Sequence, residues 1–254
     1  MERRAVICTL NLWETSRWAE RQASLLRFLE LHSPDILCVQ ELRPESAILI
    51  ERALPGHDRI RDPFPGWIRE GNIFWRRGAF RSEAHGMEDV GMLEPERRLF
   101  WVRLESAGGG SLLVSTAHFT WPGNAREKAD GVNVRRGQAR RTAEALDRLA
   151  PSPFPVLFMG DLNDHYHPIK VLKAAGFTDV FTGLGRQPRA TRPAAPTYQG
   201  PEETLDWIFY RGNIRPMTAE VVDFFHGDFA PSDHKPVLAT FAFADSIGEP
   251  GLAA

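Results

Sequence analysis

Eight polar side chains stand directly beside apolar runs that have the composition of buried β-strands. They are Asn11, Glu41, His118, Asp161, Asn163, Asp206, Asp233 and His234. Loops at strand ends are aimed by a rigid sheet, so polar residues gathered there can meet in one cleft. We therefore expect these side chains to form a single site.

The donor atoms of this set favour a hard divalent cation and phosphoester chemistry. Carboxylates and carboxamides, with no thiolate among them, are the ligands that Mg²⁺ or Mn²⁺ prefers. Mg²⁺ usually takes one or two protein carboxylates and leaves positions for water and phosphate oxygens, a role that suits Glu41 assisted by Asn11. Phosphoester hydrolysis also requires an oriented water and stabilised charge on the phosphate oxygens.

Two local arrangements suit these remaining requirements. Asp161 and Asn163 are two residues apart, so on an extended backbone both side chains face one side and can hold water and phosphate together. His234 beside Asp206 would form a pair in which the carboxylate fixes the histidine tautomer and raises its pKa. Each residue alone also has a local explanation, as a turn former, a solvated loop acid or a cap. The joint pattern favours a catalytic site.

Apolar periodicity predicts the elements that position this site. Strands are expected at residues 5–12, 36–40, 72–76, 79–83, 99–104, 112–117, 156–159, 205–211, 218–224 and 236–243. Helices are expected at 16–32, from 44 to before 55, at about 134–149 and at 168–175. Ser16 is expected to cap the first helix, with Arg21 pointing outward, and the glycines at 108–110 to form a hairpin turn.

Many strands with few helices fit two stacked sheets flanked by helices. No shift in composition marks a boundary, so residues 1–254 are expected to form one domain with a frayed tail over about 244–254. No apolar run approaches the roughly 18 residues that cross a bilayer. The short apolar stretch after Arg3 and Arg4 does not fit a signal peptide, so we expect a cytoplasmic location.

The net charge and the cysteine content further narrow the class of protein. The net charge of −2 argues against a generic nucleic-acid coat protein, although a local group of arginines suffices to bind phosphates. Cys8 and Cys38 lie inside apolar runs and are predicted to be buried core thiols.

The order of the motifs resembles the endonuclease/exonuclease/phosphatase superfamily. The motifs are Thr9-Leu10-Asn11, Val39-Gln40-Glu41, Ala117-His118-Phe119, Gly160-Asp161-Leu162-Asn163, Leu205-Asp206-Trp207-Ile208 and Ser232-Asp233-His234. They span residues 9–234, nearly the whole chain. The resemblance implies an α+β fold, a four-layer αββα sandwich in which two mixed, mainly antiparallel sheets pack together between helices.

The resemblance also implies how the metal is held. Glu41 would be the principal ligand, Asn11 would support it, and Asp233 would join the metal shell directly or through water. Mg²⁺ is the implied ion, with Mn²⁺ as a possible substitute.

The remaining residues would be catalytic. By the resemblance, Asp161 orients or activates the water and Asn163 holds the phosphate. Asp206 pairs with a histidine, while His118 and His234 bind phosphate oxygens and stabilise the transition state. The implied reaction is a single in-line attack by water, and the identity of the general base is left open.

Short signatures narrow the branch of the superfamily. The inositol-polyphosphate phosphatase signature Pro-x-Trp-Cys-Asp-Arg is absent around Asp206, and the motif of abasic-site endonucleases is absent after Asn11. Residues 70–76 and 204–210 are similar to deadenylases and tyrosyl-DNA-phosphodiesterase-like proteins. Residues 164–167 depart from the deadenylase pattern, so poly(A) specificity is not implied.

The sequence therefore predicts a metal-dependent phosphodiesterase or nuclease with a nucleic-acid substrate and no obligate protein partner. The alternatives are a phosphatase or phosphodiesterase of a small metabolite, inositol phosphate or phospholipid, and a non-catalytic phosphate-binding pseudoenzyme. Arginine and aromatic groups can hold phosphates and stack bases, and the candidate substrate-binding residues are Arg76, Arg98, Trp121, Arg136 and Tyr166. Arg136 and its neighbouring arginines could equally be the solvated face of a helix.

Overall fold

The computed structural model describes residues 3–243, and the tail predicted at about 244–254 lies outside this range. The strands are β1 (Arg3–Asn11), β2 (Ile36–Gln40), β3 (His57–Arg59), β4 (Gly71–Arg76), β5 (Phe80–Glu88), β6 (Leu99–Ser106), β7 (Ser111–His118), β8 (Val156–Asp161), β9 (Thr178–Asp179), β10 (Asp206–Arg211), β11 (Ile214–Val221) and β12 (Val237–Phe243). The helices are α1 (Trp18–His32), α2 (Pro44–Ala53), α3 (Gly66–Arg69), α4 (Ala125–Asp130), α5 (Arg135–Leu149), α6 (His167–Ala174) and α7 (Val180–Gly183).

These strands form two six-stranded sheets. The first sheet has the order β11-β12-β1-β2-β4-β3, and the second has the order β5-β6-β7-β8-β10-β9. Each sheet contains one parallel pair, β1 with β2 and β7 with β8, and its other described pairs are antiparallel. The carboxyl ends of both parallel pairs carry residues of the predicted site.

Three apolar clusters hold four layers together. The central cluster joins the sheets, with Ile7 and Cys38 from the first sheet meeting Val102 and Leu157 from the second. A second cluster packs α1 and α2 on the outer face of the first sheet, and a third packs α5 and α6 on the second. Burial of each large apolar side chain contributes about 1.5–3 kcal/mol, so separating these layers would require a large free energy. The predicted αββα sandwich is confirmed.

Several element boundaries differ from the prediction. The strand expected at 218–224 is β11, which begins at Ile214 and tolerates Pro216 because a bulge interrupts the register of this edge strand. The strand expected at 79–83 continues to Glu88 in β5, and the short elements β3, β9, α3, α4 and α7 were not predicted. The glycine turn is confirmed, since Ser106 N donates to Gly110 O at 2.9 Å.

The start of the first helix corrects two expectations. Helix α1 begins at Trp18, and its N-cap is Arg17 in a left-handed conformation without a side-chain cap, so the predicted cap at Ser16 is wrong. Arg21 was expected to point outward, but it is fully buried. Its guanidinium is surrounded by carbonyl oxygens of adjacent loops, which compensate for the lost solvent.

Both cysteines are buried and unpaired, as predicted. Of the helices in the described range, none is both long and apolar enough to cross a membrane.

Candidate active site

The ends of the two parallel strand pairs meet where the sheets face each other. In the strand register, Asn11 lies opposite Gln40, and Asp161 lies between His118 on one side and Asp206 on the other. Parallel pairing therefore brings residues that are far apart in the sequence to one edge of each sheet.

Asn11 connects the two sheets directly. Its Nδ2 donates to Glu41 Oε1 at 3.1 Å and to Asp161 Oδ2 at 3.0 Å. Its Oδ1 accepts from the backbone N of Trp13 at 2.9 Å, which fixes the orientation of the amide. One carboxamide thus holds two carboxylates in a shared cleft.

Backbone conformation also aims the site residues. Glu41 and Asn163 have φ values of 54° and 49°, in the left-handed region that non-glycine residues rarely adopt. Gly160, with φ of 147°, lies so close to the Ala117 carbonyl that a Cβ would collide with it. The glycine before Asp161 is therefore required by the close approach of β7 to β8.

His118, Asp161 and Asn163 form a hydrogen-bonded group at the ends of β7 and β8. Asn163 N donates to Asp161 Oδ1 at 2.8 Å, and Asn163 Nδ2 lies 3.0 Å from both His118 Nε2 and Phe119 O. The amide nitrogen can only donate, so His118 Nε2 acts as an acceptor. Burial, the positive charge of Arg97 and that of His234 hold the pKa of His118 well below its usual value, in agreement with a neutral ring.

Asp206 and His234 form a second buried pair. His234 Nδ1 lies 2.7 Å from Asp206 Oδ2, and His234 Nε2 lies 3.9 Å from Asp161 Oδ2. Burial lowers the pKa of His234, but the charges of Asp206, Asp161 and Asp233 outweigh it and raise this pKa to about 10. The imidazole is therefore positively charged beside Asp161 at neutral pH.

Asp233 is anchored by an arginine that the sequence did not indicate. Arg192 Nε donates to Asp233 Oδ2 at 3.2 Å, and Arg192 Nη1 donates to Glu203 Oε2 at the same distance. Arg192 lies in the proline-rich loop between α7 and β10, outside all the strands and helices predicted from the sequence. Its pairing with Asp233 depends on how that loop folds back on the sheets.

The carboxylates at the centre of the site lack enough positive charge from the protein. Burial raises the pKa of Glu41, and burial together with the charge of Asp206 raises the pKa of Asp161 to about 7, although His234 opposes that rise. Ligand atoms of Asp161, Asp206 and His234 also lie within 4.8 Å of one another. The crowded, desolvated carboxylate oxygens of Glu41 and Asp161 fit a divalent cation, whereas the protonated ring of His234 has no lone pair for one.

A cleft of about 460 Å³ opens above these residues. Trp13, Trp121, Arg97 and Arg192 line its walls together with the acids Glu14, Glu94 and Glu203. The Arg97 guanidinium lies 3.0 Å from Glu70 and 3.8 Å from Glu94, so the cations of the wall are largely paired with acids.

The five predicted substrate-binding residues are widely separated. Trp121 lines the cleft and is 59% exposed. Arg76 binds Asp35 at 2.7 Å at the far end of β4, away from the site. Arg98 turns toward Phe64, Arg136 lines a neighbouring groove, and Tyr166 stands against Lys170.

Arg21 supports the site from behind. Its guanidinium donates to the carbonyl oxygens of Trp13, Glu14 and Ser16, in the loop after Asn11, and to that of Pro231, before Ser232-Asp233-His234. The signal for burial was present in the sequence, because Arg21 falls at helical spacing between Trp18 and Leu25 on the apolar face of α1.

The fold and the site together define a class of protein, a phosphoesterase built on an αββα sandwich. Residues 8–234 match the model of the Endonuclease/Exonuclease/phosphatase family, and the chain belongs to this family. No curated protein matches the chain.

Solved structures share this fold. A humanized D. rerio TDP2 with 14 mutations is 20% identical, with a TM-score of 0.77 over 94% of this chain and 98% of that one. A mannosyl-6-phosphatase from Bacteroides thetaiotaomicron VPI-5482 is 19% identical, with a TM-score of 0.77 over 94% and 99%. The human Nocturnin catalytic domain with bound sulfate is 17% identical, with a TM-score of 0.73 over 95% of each chain. At these identities the likeness concerns the fold.

Proposed function

We propose that this protein is a divalent-metal-dependent phosphodiesterase that hydrolyses nucleic acid by in-line attack of water. The observation that carries the proposal is the convergence, from both sheets, of the Glu41–Asn11–Asp161 bridge and the Asp206–His234 pair. These groups supply oxygen ligands and a protonated imidazole within a single cleft.

Glu41, Asn11 and Asp233 would hold the ion, which is Mg²⁺ with Mn²⁺ as a substitute. When bound, the ion supplies Lewis-acid stabilisation of charge on phosphate oxygens. Glu41 brings a carboxylate whose raised pKa reflects a dry environment, and a cation there would compensate its charge.

The other side chains orient the reacting groups. Asp161 holds the attacking water, and the amide of Asn163, fixed by Asp161 and Phe119, contacts the phosphate. His234, kept protonated by Asp206, donates to a phosphate oxygen as negative charge develops there. His118 contacts the phosphate beside it. The water oxygen forms the new bond to phosphorus as the bond to the leaving oxygen breaks.

Trp121 supports a nucleic-acid substrate. Its indole lines the cleft and is 59% exposed, so a base next to the reacting phosphate could stack on it. Stacking of a base on an aromatic side chain contributes about 1–3 kcal/mol and needs no particular sequence. D. rerio TDP2, which has a similar fold, has been solved in complex with single-strand DNA product.

A small phosphomonoester is the second candidate. Glu14, Glu94 and Glu203 line the cleft, and carboxylates at its wall repel a polyanion but can accept hydrogen bonds from sugar hydroxyls. A mannosyl-6-phosphatase is among the proteins of similar fold.

A substrate panel separates these candidates. Hydrolysis of single- and double-stranded DNA and RNA, bis-p-nitrophenyl phosphate and a hexose 6-phosphate would be measured with Mg²⁺, Mn²⁺ or EDTA. Oligonucleotide cleavage that requires a metal supports the nuclease, whereas hydrolysis of the hexose phosphate alone supports the second candidate. His234→Ala is expected to reduce the rate on the order of 10²-fold. No hydrolysis of any substrate with either metal contradicts the proposal.

We also propose where the enzyme acts and whether it needs a partner. The enzyme acts in the cytoplasm, and it does so without an obligate protein partner.

A further inference from the structure

A second cavity, of about 550 Å³, runs along α5 outside the catalytic cleft. Three arginines line it, Arg136, Arg140 and Arg141, and Val132 and Val171 supply apolar surface. Of the described residues that line this arginine groove, none is acidic, in contrast to the cleft with its several carboxylates. The groove therefore has the charge of an anion-binding surface.

Two of the three guanidinium groups of the groove, those of Arg136 and Arg140, are available to a ligand. Arg136 and Arg140 are exposed, and neither forms an ion pair within residues 3–243. Arg141 is oriented by donation from its Nε to Val90 O at 2.7 Å, which leaves the other end of the guanidinium free of that bond. Gly91 faces this end, and a Cβ there would collide with the Arg141 side chain. The glycine therefore lets the Arg141 guanidinium lie directly against the backbone at position 91.

The groove and the cleft lie on opposite sides of one wall. Gln138 of α5 donates to Gly91 O at 3.0 Å and to Thr120 Oγ1 at 2.8 Å, and Thr120 Oγ1 donates to Glu94 Oε2 at 3.0 Å. Gly91 lines the groove, whereas Glu94 and Trp121 line the cleft. Leu93 also lines the groove and the next residue, Glu94, lines the cleft, so the two hollows adjoin across this segment.

We propose that the arginine groove binds backbone phosphates of a polynucleotide strand whose reacting phosphodiester occupies the cleft, an inference that rests on the nucleic-acid function proposed above. Arginine forks bind phosphate oxygens in pairs, and the first turn of α5 adds the positive end of a helix dipole. The groove supplies the positive charge that the cleft walls lack, because Arg97 and Arg192 are already paired with acids. The competing explanation is a solvated helix face, since Arg140 also borders a hollow that contains Glu144 and Asp147.

The test compares two double variants of equal charge change. Arg136→Gln/Arg140→Gln alters the groove, and Arg27→Gln/Arg52→Gln removes two exposed arginines from α1 and α2 in the opposite outer layer. Binding of a fluorescein-labelled single-stranded oligonucleotide of about 12 nucleotides, within the usual range of site sizes, is measured by anisotropy at several salt concentrations. Hydrolysis of the same oligonucleotide is compared with that of bis-p-nitrophenyl phosphate.

Loss of two phosphate contacts reduces the magnitude of the negative slope of log K against log salt by about 1.4. We expect that decrease in the groove variant, with oligonucleotide binding weakened on the order of 10-fold at low salt. The ratio of kcat/KM for the oligonucleotide to that for bis-p-nitrophenyl phosphate falls as well. The control variant keeps the wild-type values, and the melting temperature of each variant verifies folding.

Two negative results have different meanings. If the wild type cleaves the oligonucleotide and the groove variant matches the control in affinity and salt slope, the groove proposal is overturned and the nuclease proposal stands. If the wild type hydrolyses bis-p-nitrophenyl phosphate but neither binds nor cleaves oligonucleotides, the nucleic-acid function fails and the groove proposal fails with it.

Discussion

His234 Nδ1 lies 2.7 Å from Asp206 Oδ2, and this contact joins the two sheets at the base of the cleft. Asp206 begins β10 of the second sheet, while His234 stands just before β12 of the first. Both side chains are buried, so each loses a compensating charge if the other is removed. The relative position of the sheets and the charge of the imidazole are therefore coupled.

Asp206→Asn tests this coupling with little change in shape. The variant lacks the charge that raises the His234 pKa to about 10, so that pKa is expected to fall because burial opposes protonation. A neutral imidazole no longer stabilises charge on the phosphate, and kcat is expected to fall on the order of 10²-fold. Histidine NMR titration of the metal-free protein and steady-state kinetics measure both effects. The exposed control Asp130→Asn should change neither, and wild-type titration of His234 in Asp206→Asn would refute the pairing.

Glu41→Gln tests the metal site through stability. In the metal-free protein, burial raises the pKa of Glu41 above its ordinary value of 4.5, so ionisation opposes folding. The contribution of Glu41 to stability is therefore lost as pH rises from 4.5 through the raised value. Above that interval, we expect metal-free Glu41→Gln to be at least as stable as metal-free wild type.

Added Mg²⁺ should reverse the order of the two proteins. A ligand that binds only the folded state raises the melting temperature, and Glu41→Gln should lack most of this increase. Thermal denaturation with EDTA and with Mg²⁺ measures it, and Glu45→Gln, an exposed change in α2, serves as the control. If Mg²⁺ raises the melting temperatures of Glu41→Gln and Glu45→Gln equally, the ion does not bind at Glu41.

Arg21→Met tests support of the site by α1. The methionine keeps an apolar stem but leaves the carbonyl groups around the guanidinium without donors, and each buried unsatisfied group costs about 1–3 kcal/mol. We expect the free energy of unfolding to fall by about 3 kcal/mol or more and kcat to fall as the loops move. Arg21→Lys, which can restore some of these bonds, should lie between Arg21→Met and wild type.

A matched control lies on the same helix. Arg27→Met is exposed and should change stability by less than about 0.5 kcal/mol. Denaturant titration gives the free energies, and equal values for Arg21→Met and Arg27→Met would show that the buried hydrogen bonds are dispensable.

Trp121→Ala tests base stacking. The indole is 59% exposed and lies near Lys128, with Nζ 5.8 Å from the ring centroid, so its loss should affect folding little. Loss of about 1–3 kcal/mol of stacking corresponds to a KM for oligonucleotides about 5- to 150-fold higher. KM for a hexose phosphate should rise much less. Phe225→Ala removes another exposed aromatic side chain as a control, and equal increases in KM for both substrates argue against stacking.

The sequence alone determined the layered α+β fold and the set of eight polar residues. Strand composition and length are local properties of the sequence. A residue at the end of a strand takes its position from the pairing of that strand. The spacing of Asp161 and Asn163 is equally local. These features predicted that the eight side chains would meet. The structure brings six of them to one cleft, and Asn11 and Asp206 are hydrogen-bonded to residues that line it.

Only the tertiary structure decided the contacts that join distant segments. Asn11 bridges to Asp161, Arg192 to Asp233, and Arg21 to loops at both ends of the chain. The tertiary structure also places Arg76 away from the cleft, because β4 runs antiparallel to β2 and ends at the opposite edge of the sheet. Such contacts depend on how sheets stack and loops return, whereas periodicity records only the environment along each element.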